Sequence, residues 1–239
     1  MTPAPALRRV LLLSNSTQPD RGYLDHAADE IVHHLRGARS LLFVPYALND
    51  RAGYAAKARE RFAKFGVRVN SVHDASDPVA AVAQAESLFI GGGNTFRLLD
   101  ELYAQELIAP IRARVAAGMP YLGASAGSNV ACLSLKTTND MPIVQPRSFD
   151  ALALVPFNLN PHYLDPDPSS KHMGETREQR IKEFHELNTA PVVGLREGGW
   201  LAIGGDRMML GGFGSARLFR RGEPPVEHAI GADLSFLLR

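Results

Sequence analysis

Two hydrophobic rhythms alternate along this chain. Val10–Leu13, Leu41–Val44 and Leu88–Ile90 are short apolar runs with the length of buried strands, and Val67–Val72 is a further strand candidate. Between them apolar residues recur at helical spacing. In Tyr23 to Arg36 the residues Leu24, Ala27, Ala28, Ile31, Val32 and Leu35 share one side, and Gly37 ends the segment. Tyr54, Ala58, Phe62 and Phe65 repeat the pattern before Gly66, and Pro78 to Ala85 is a shorter helix. Thr95–Leu102 and Leu107–Ala117 are two more helices, and Pro120–Gly123 is a strand. This order predicts a doubly wound, mostly parallel α/β sheet of the flavodoxin-like kind, with helices on both faces.

The last third reads differently. Leu154–Leu159 predicts a strand and Thr176–Leu187 a charged amphipathic helix. Val192–Leu195, Leu201–Ile203, Met208–Leu210 and Ala216–Phe219 are short, and several are separated by tight Gly-containing turns. They predict an antiparallel C-terminal edge. The stretch Asp165–Ser170, rich in Asp and Pro, reads as an exposed loop and not a linker, so residues 1–239 are expected to form one domain.

Composition narrows the partners. The chain has 239 residues, with 26 Lys and Arg against 25 Asp and Glu, and no basic stretch with interleaved aromatics. Nothing in that pattern suits nucleic acid. No apolar run approaches the length of a membrane span, and the N-terminus has no cleavable signal pattern. The single cysteine, Cys132, rules out an internal disulfide and suits a reducing compartment. A cytoplasmic protein is expected, with Cys132 a small core residue on the helix that follows Ser125.

The chemistry centres on Gly123-Ala124-Ser125-Ala126-Gly127. A G-x-S-x-G sequence between a buried strand and a helix, here Asn129 to Leu135, is the context of a nucleophile elbow. The turn lifts the serine hydroxyl above the sheet edge, and the Ala126 N–H becomes an oxyanion donor. The alternative is a small-residue turn with no chemistry. Gly91-Gly92-Gly93-Asn94-Thr95 is a second strand-to-helix loop. Its glycines let backbone approach a substrate, as a second oxyanion donor or a substrate-backbone contact, although it is also an ordinary turn with Asn94 or Thr95 as helix cap.

A serine needs a base. His162 follows a strand and suits the edge that carries Ser125. His26, His33 and His34 fall on one surface helix and His185 on another, while His73, His172 and His228 fall in polar loops. The base needs an orienting carboxylate. Glu197, in a turn after Val192–Leu195, is placed at a strand end. Asp140 is the other candidate, and it could equally cap a turn before Pro142. His162, Asp165, Asp167 and His172 cluster in sequence, but no H-E-x-x-H or paired-cysteine spacing accompanies them, so no metal and no cofactor are expected. Arg177 and Arg180, near a helix start, suit carboxylate capture, or else form surface pairs.

Together these stretches resemble the peptidase E (α-aspartyl dipeptidase) family of S51 serine peptidases. The resemblance rests on Leu11–Thr17, Gly91–Phe96, the Ser125 elbow with Asn129, Thr137–Val144, Asn160-Pro161-His162, Gly174–Arg180 and Glu197–Trp200, and it spans nearly the whole chain. It implies a fold like the class I glutamine amidotransferases, a Ser125–His162–Glu197 triad with Asp140 as the alternative acid, and Arg177 on the substrate's aspartate side chain. Asn94, Thr95, Gly92 and Gly93 would border the substrate, a dipeptide of the form Asp-Xaa. A homodimer is compatible with this reading.

Two departures bear on specificity. Ala124 stands where the family often has a bulky aromatic, and Tyr163–Met173 has no close counterpart, so Asp165 or Asp167 could compete for Arg177. Other readings are a cyanophycin-degrading relative, an α/β-hydrolase esterase in the order Ser125, Asp140, His162, and a non-enzymatic small-molecule sensor.

Overall fold

The computed structural model describes residues 8–166, 169 and 174–239. Asp167, Lys171 and His172 lie outside them. Among the described residues, eleven strands form two sheets. The larger contains β1 (Arg9–Leu13), β2 (Ser40–Val44), β3 (Arg68–Ser71), β4 (Leu88–Ile90), β5 (Tyr121–Ala124), β8 (Gly199–Gly204) and β9 (Arg207–Gly212), in the order β3-β2-β4-β5-β1-β8-β9. The first five are parallel, and β8 and β9 add the antiparallel edge. The smaller sheet, with the order β11-β10-β7-β6, contains β6 (Asn158–Pro161), β7 (Val192–Leu195), β10 (Ala216–Phe219) and β11 (Val226–His228). The antiparallel C-terminal strands are therefore divided between two sheets.

The solid apolar runs explain the layers. A strand side chain changes face at every residue, so a strand apolar throughout feeds two cores. Val10 and Leu12 pack in one cluster with Leu42, Val44, Leu88, Ile90 and Tyr121. Leu11 and Leu13 pack in the other with Phe43, Phe89 and Leu122. Helices α1 (Ala28–His34) and α2 (Arg51–Ala63) cover the second face through Ile31, Tyr54, Ala58 and Phe62. Helices α3 (Pro78–Gln84), α4 (Thr95–Ala104), α5 (Ile108–Ala116) and α6 (Ala126–Val130) cover the first, together with one face of the smaller sheet. Helix α7 (Arg177–Leu187) contributes Ile181, which packs with Tyr163, Val192 and Phe219. Its start is set by a capping box between Thr176 and Gln179.

Three expectations are corrected. The helix after Ser125 begins at Ala126 and ends at Val130, not over Asn129–Leu135. The N–H groups of Leu152, Leu154 and Ala153 bond the carbonyls of Val130, Ala131 and Cys132 at 2.8 Å each. Those carbonyls are thereby satisfied by a loop instead of a further helical turn. The same bonds hold Ala151–Leu154 out of a strand, and the strand expected over Leu154–Leu159 runs instead from Asn158 to Pro161. The helix expected over Tyr23–Arg36 is shorter, with a 3-10 turn at Asp25–Ala27 before α1.

The histidines expected on surface helices are mostly interior. His26, His34 and His185 are buried, and only His33 is exposed. His34 Nε2 lies 3.0 Å from the Tyr121 carbonyl oxygen, so this nitrogen carries the hydrogen and ties α1 to the start of β5. Burial, helped by the Arg9 charge, pushes this imidazole down to about 3 from an ordinary 6.5. Below pH 6.5 the unfolded chain takes up a proton that folded His34 refuses, so this contribution to stability is complete above pH 6.5 and is lost toward pH 3. We expect the unfolding free energy of His34→Gln to fall by about 3 kcal/mol less than wild type between pH 6.5 and pH 4, measured by urea titration. Parallel curves would mean that His34 is not the titrating group.

Candidate active site

The C-terminal ends of β4, β5 and β1 lie side by side in the larger sheet, and the loops that leave them form one edge. Ser125 follows β5. Its backbone has φ 52° and ψ −110°, a conformation an L residue adopts only when its surroundings enforce it. The enforcement is visible in the motif. A Cβ on Gly127 would stand 2.0 Å from the Ile90 carbonyl oxygen, and one on Gly123 would stand 2.6 Å from the Gly127 oxygen. Only glycine at both positions lets the turn close this tightly against β4. The Ser125 N–H bonds the Leu13 carbonyl at 3.0 Å, and the Asn129 N–H bonds the Ser125 carbonyl at 2.9 Å.

His162 and Glu197 arrive from the smaller sheet. Strands β6 and β7 run parallel with Pro161 opposite Leu195, so the residues just past both strand ends meet. Ser125 Oγ lies 2.9 Å from His162 Nε2, and His162 Nδ1 lies 2.6 Å from Glu197 Oε1. His162 also has a positive φ, 54°. Both partners are about half exposed, with side-chain accessibilities of 40% for His162 and 45% for Glu197. With Glu197 accepting from Nδ1–H, Nε2 is free to accept the serine proton.

Asp140 is placed differently. Its Oδ2 accepts from the Thr95 N–H at 2.7 Å and from the Thr95 hydroxyl at 2.5 Å, at the start of α4. Asn94 caps the same helix by accepting from the Arg97 N–H at 3.0 Å, and its Nδ2 donates to the Met141 carbonyl at 2.9 Å. The order Ser125, Asp140, His162 expected of an α/β-hydrolase esterase therefore does not describe the contacts made here. Gly92 packs against Ser125, since a Cβ there would stand 3.0 Å from Ser125 Cβ.

The two sheets are joined at this edge by residues that the sequence reading passed over. The Ser14 hydroxyl donates to the Leu195 carbonyl at 2.8 Å and accepts from the His162 N–H at 2.9 Å. The Ser14 N–H bonds the Gly199 carbonyl at 3.0 Å, and Asn15 Oδ1 accepts from the Gly198 N–H at 2.9 Å. The available signal was a polar Ser-Asn pair directly after a central strand. The edge carbonyls of β6 are held from the other side. Asn129 and Thr137 donate to Leu159, and Asn139 donates to Pro161.

A cavity of about 670 Å³ opens over Ser125, lined among others by Gly92, Gly93, Asp140, His162, Tyr23, Tyr54 and Lys57. A second cavity of about 590 Å³ is lined, among others, by Asn139, Met141, Asp165, Glu175, Arg177 and Arg180. Arg177 forms no ion pair among the described residues, whereas Arg180 lies 3.5 Å from Glu175. Burial and the charge of Arg180 hold the Arg177 pKa below its ordinary value, while Asp140 pulls the other way. Asp165 is held by the Arg196 fork at 2.7 and 2.8 Å. Asp167 and His172 lie outside the described residues. Among the described residues no group of three or more His, Cys, Asp or Glu could hold a metal ion, and no helix is long and apolar enough to cross a membrane.

The bridging role of Ser14 makes a prediction. Ser14→Ala leaves a buried carbonyl and a buried N–H without their partner, a loss of about 1–3 kcal/mol. Labelling of Ser125 by a fluorophosphonate should slow by roughly tenfold or more as His162 loses its backbone anchor. Labelling at the wild-type rate would show that other contacts suffice to hold His162.

Comparison with known proteins agrees with this architecture. The profile of peptidase family S51 matches residues 10–211. Peptidase E of Streptomyces coelicolor is 56% identical over 229 residues, covering 96% of this chain and 94% of that protein. A Drosophila melanogaster protein named "Probable alpha-aspartyl dipeptidase" is 47% identical over 235 residues, covering 97% of this chain and 98% of its own length. The crystal structure of a peptidase from an acI-B1 actinobacterium has the same fold, with a TM-score of 0.70 at 19% identity over 97% of each chain. The chain belongs to peptidase family S51.

Proposed function

We propose that this chain is a serine dipeptidase that removes an N-terminal aspartate from dipeptides, with Ser125, His162 and Glu197 as its catalytic triad. The observation that carries this reading is the unbroken contact path from Ser125 Oγ through His162 to Glu197, on a strained turn that aims the hydroxyl into a cavity. His162 Nε2 takes the Ser125 proton as Oγ attacks the aspartyl carbonyl. The N–H of Ala126 and an amide of the Gly92–Gly93 loop hold the developing oxyanion. His162 returns the proton to the leaving amine, leaving an aspartyl ester on Ser125. Water, deprotonated by His162, releases aspartate and restores the serine. Glu197 keeps His162 in the productive tautomer and stabilises the imidazolium.

Substrate choice follows from charge. Arg177 is half-buried and has no carboxylate of its own among the described residues, so it is suited to the aspartyl side chain. Asp140, in the cavity of Ser125, is suited to the substrate's ammonium. Asn94 and Thr95 act by holding Asp140 and its loop in place. Because the nucleophile comes from one sheet and its partners from the other, residues 1–239 work as one domain. The buried Cys132 suits a reducing compartment, and we place the reaction in the cytoplasm.

Two measurements test the reading. Glu197→Gln should lower kcat by two or more orders of magnitude, on the pattern of other triads. Asp140→Asn should act mainly on KM, and the reverse split would exchange the two roles. For specificity, Asp-Leu should be cleaved on the order of 100-fold better than Asn-Leu, since an amide leaves Arg177 unpaired. Arg177→Ala should abolish that ratio chiefly by losing Asp-Leu turnover. An unchanged ratio would transfer the clamp to Arg180.

A further inference from the structure

A dipeptide has a third charge, the carboxylate of the leaving residue, and the triad, Asp140 and Arg177 leave it unanswered. Helix α2 offers the answer. The helix and its C-cap carry five basic side chains, Arg51, Lys57, Arg59 and Arg61 in the helix and Lys64 at the cap. Four are occupied: Arg51 with Glu101, Arg59 with Asp74 at 2.6 Å, Arg61 with Asp25 at 2.7 Å and Lys64 with Glu60 at 3.7 Å. Lys57 forms no ion pair among the described residues, and among them it is the one lysine or arginine lining the cavity of Ser125, alongside the carboxylates of Asp50 and Asp140.

Its position is defined by aromatic packing. Lys57 Nζ stands 4.5 Å from the centroid of the Tyr23 ring. The Tyr23 hydroxyl is 3.4 Å from that of Tyr54. Tyr54 in turn fills the space beside Gly91, where a Cβ would stand 2.3 Å from its hydroxyl oxygen. Lys57 is thus linked by two rings to the glycine loop beside Ser125, while its ammonium keeps free donors.

The sidedness also fits. His162 protonates the leaving amine, so the leaving residue occupies the cavity that contains both His162 and Ser125. Its carboxylate lies one Cα beyond the amine. Arg177 lines the other cavity, where the aspartyl side chain goes.

We propose that Lys57 is a specificity-determining residue that binds the C-terminal carboxylate of the leaving residue and so restricts the enzyme to two-residue substrates. The proposal rests on the dipeptidase reading above. A longer peptide or a blocked carboxyl places a neutral amide where Lys57 expects an anion, and a longer chain must also pass the Tyr23–Tyr54 wall.

The test is a kinetic cycle with aspartyl-leucine and aspartyl-leucinamide on wild type, Lys57→Met and Lys57→Arg. Wild type should prefer the free acid by roughly 10–100-fold in kcat/KM, the scale expected for one charge pair. In Lys57→Met the preference should shrink to about threefold or less, through a raised KM for the acid, with Lys57→Arg retaining most of it. An unchanged acid-to-amide ratio in Lys57→Met, or equal losses on both substrates, would overturn the assignment while leaving the dipeptidase intact. If wild type cleaves neither substrate, the dipeptidase reading falls, and this inference with it.

Discussion

The geometry of the site depends on one buried hydroxyl. Ser125 follows a strand of the large sheet, while His162 and Glu197 follow strands of the small one, so their contacts depend on how the two sheets are held together. Ser14, at the end of β1, accepts from the His162 backbone and donates to Leu195, two residues before Glu197. It is itself fully buried on the strand that borders β5. A single side chain thus references His162 and Glu197 to the sheet that carries Ser125. A hydroxyl suits this position because it donates and accepts at once, which neither an alanine nor a carboxylate does.

Strain is distributed in the same way. Ser125 and His162 both sit at positive φ, and each is held by bonds on either side. For Ser125 these are the bonds to Leu13 and from Asn129, and for His162 the bond to Ser14 and the Tyr163 N–H to the Leu195 carbonyl at 3.1 Å. Such conformations cost on the order of 1–3 kcal/mol each and persist where neighbouring contacts over-determine them. Here those contacts are backbone bonds at strand ends and the bond from the His162 N–H to the Ser14 hydroxyl. The result is a hydroxyl and an imidazole directed toward each other before any substrate arrives.

The parallel core was legible because Val10–Leu13, Leu41–Val44 and Leu88–Ile90 are solid apolar runs, which a sheet covered on both faces accommodates. The elbow was legible because Gly123 and Gly127 are required by close backbone approach and so stand in the sequence. His162 and Glu197 were legible as strand-end residues, but their separation was not, since it follows from the β6–β7 register and no local pattern encodes a parallel pairing across about thirty residues. The division of the C-terminal strands between two sheets was hidden for the same reason. The buried histidines were misread because helical spacing places a residue on a face without saying whether another layer covers that face. His34 is covered by β5 through the Tyr121 carbonyl. Tyr54 reads as a core position, which it is, and the cavity on its far side leaves no trace in periodicity.

Charge pairing completes the logic of the site. Arg196, beside Glu197, spans Asp165 and Glu227, and Arg217 reaches Asp165, Glu227 and Glu178. This network binds the loop after His162, the Glu197 turn and the first turn of α7 into one unit. It also decides a competition. Asp165 stands near enough in sequence to neutralise Arg177, yet the bidentate fork of Arg196 holds both its oxygens. Glu178, next to Arg177, is likewise engaged by Lys182 and Arg217. Among the described residues, Asp165 and Glu178 are thus committed to other cations, as are the carboxylates that pair the other cations of α2, and Asp140 acts on Arg177 only through its charge, with no ion pair between them. An enzyme that selects small anions by charge must keep its own anions off its receptor cations. On the proposed reading, the pairing on both sides of Ser125 does this, and Arg177 and Lys57, which form no ion pair among the described residues, would meet the two carboxylates of the substrate.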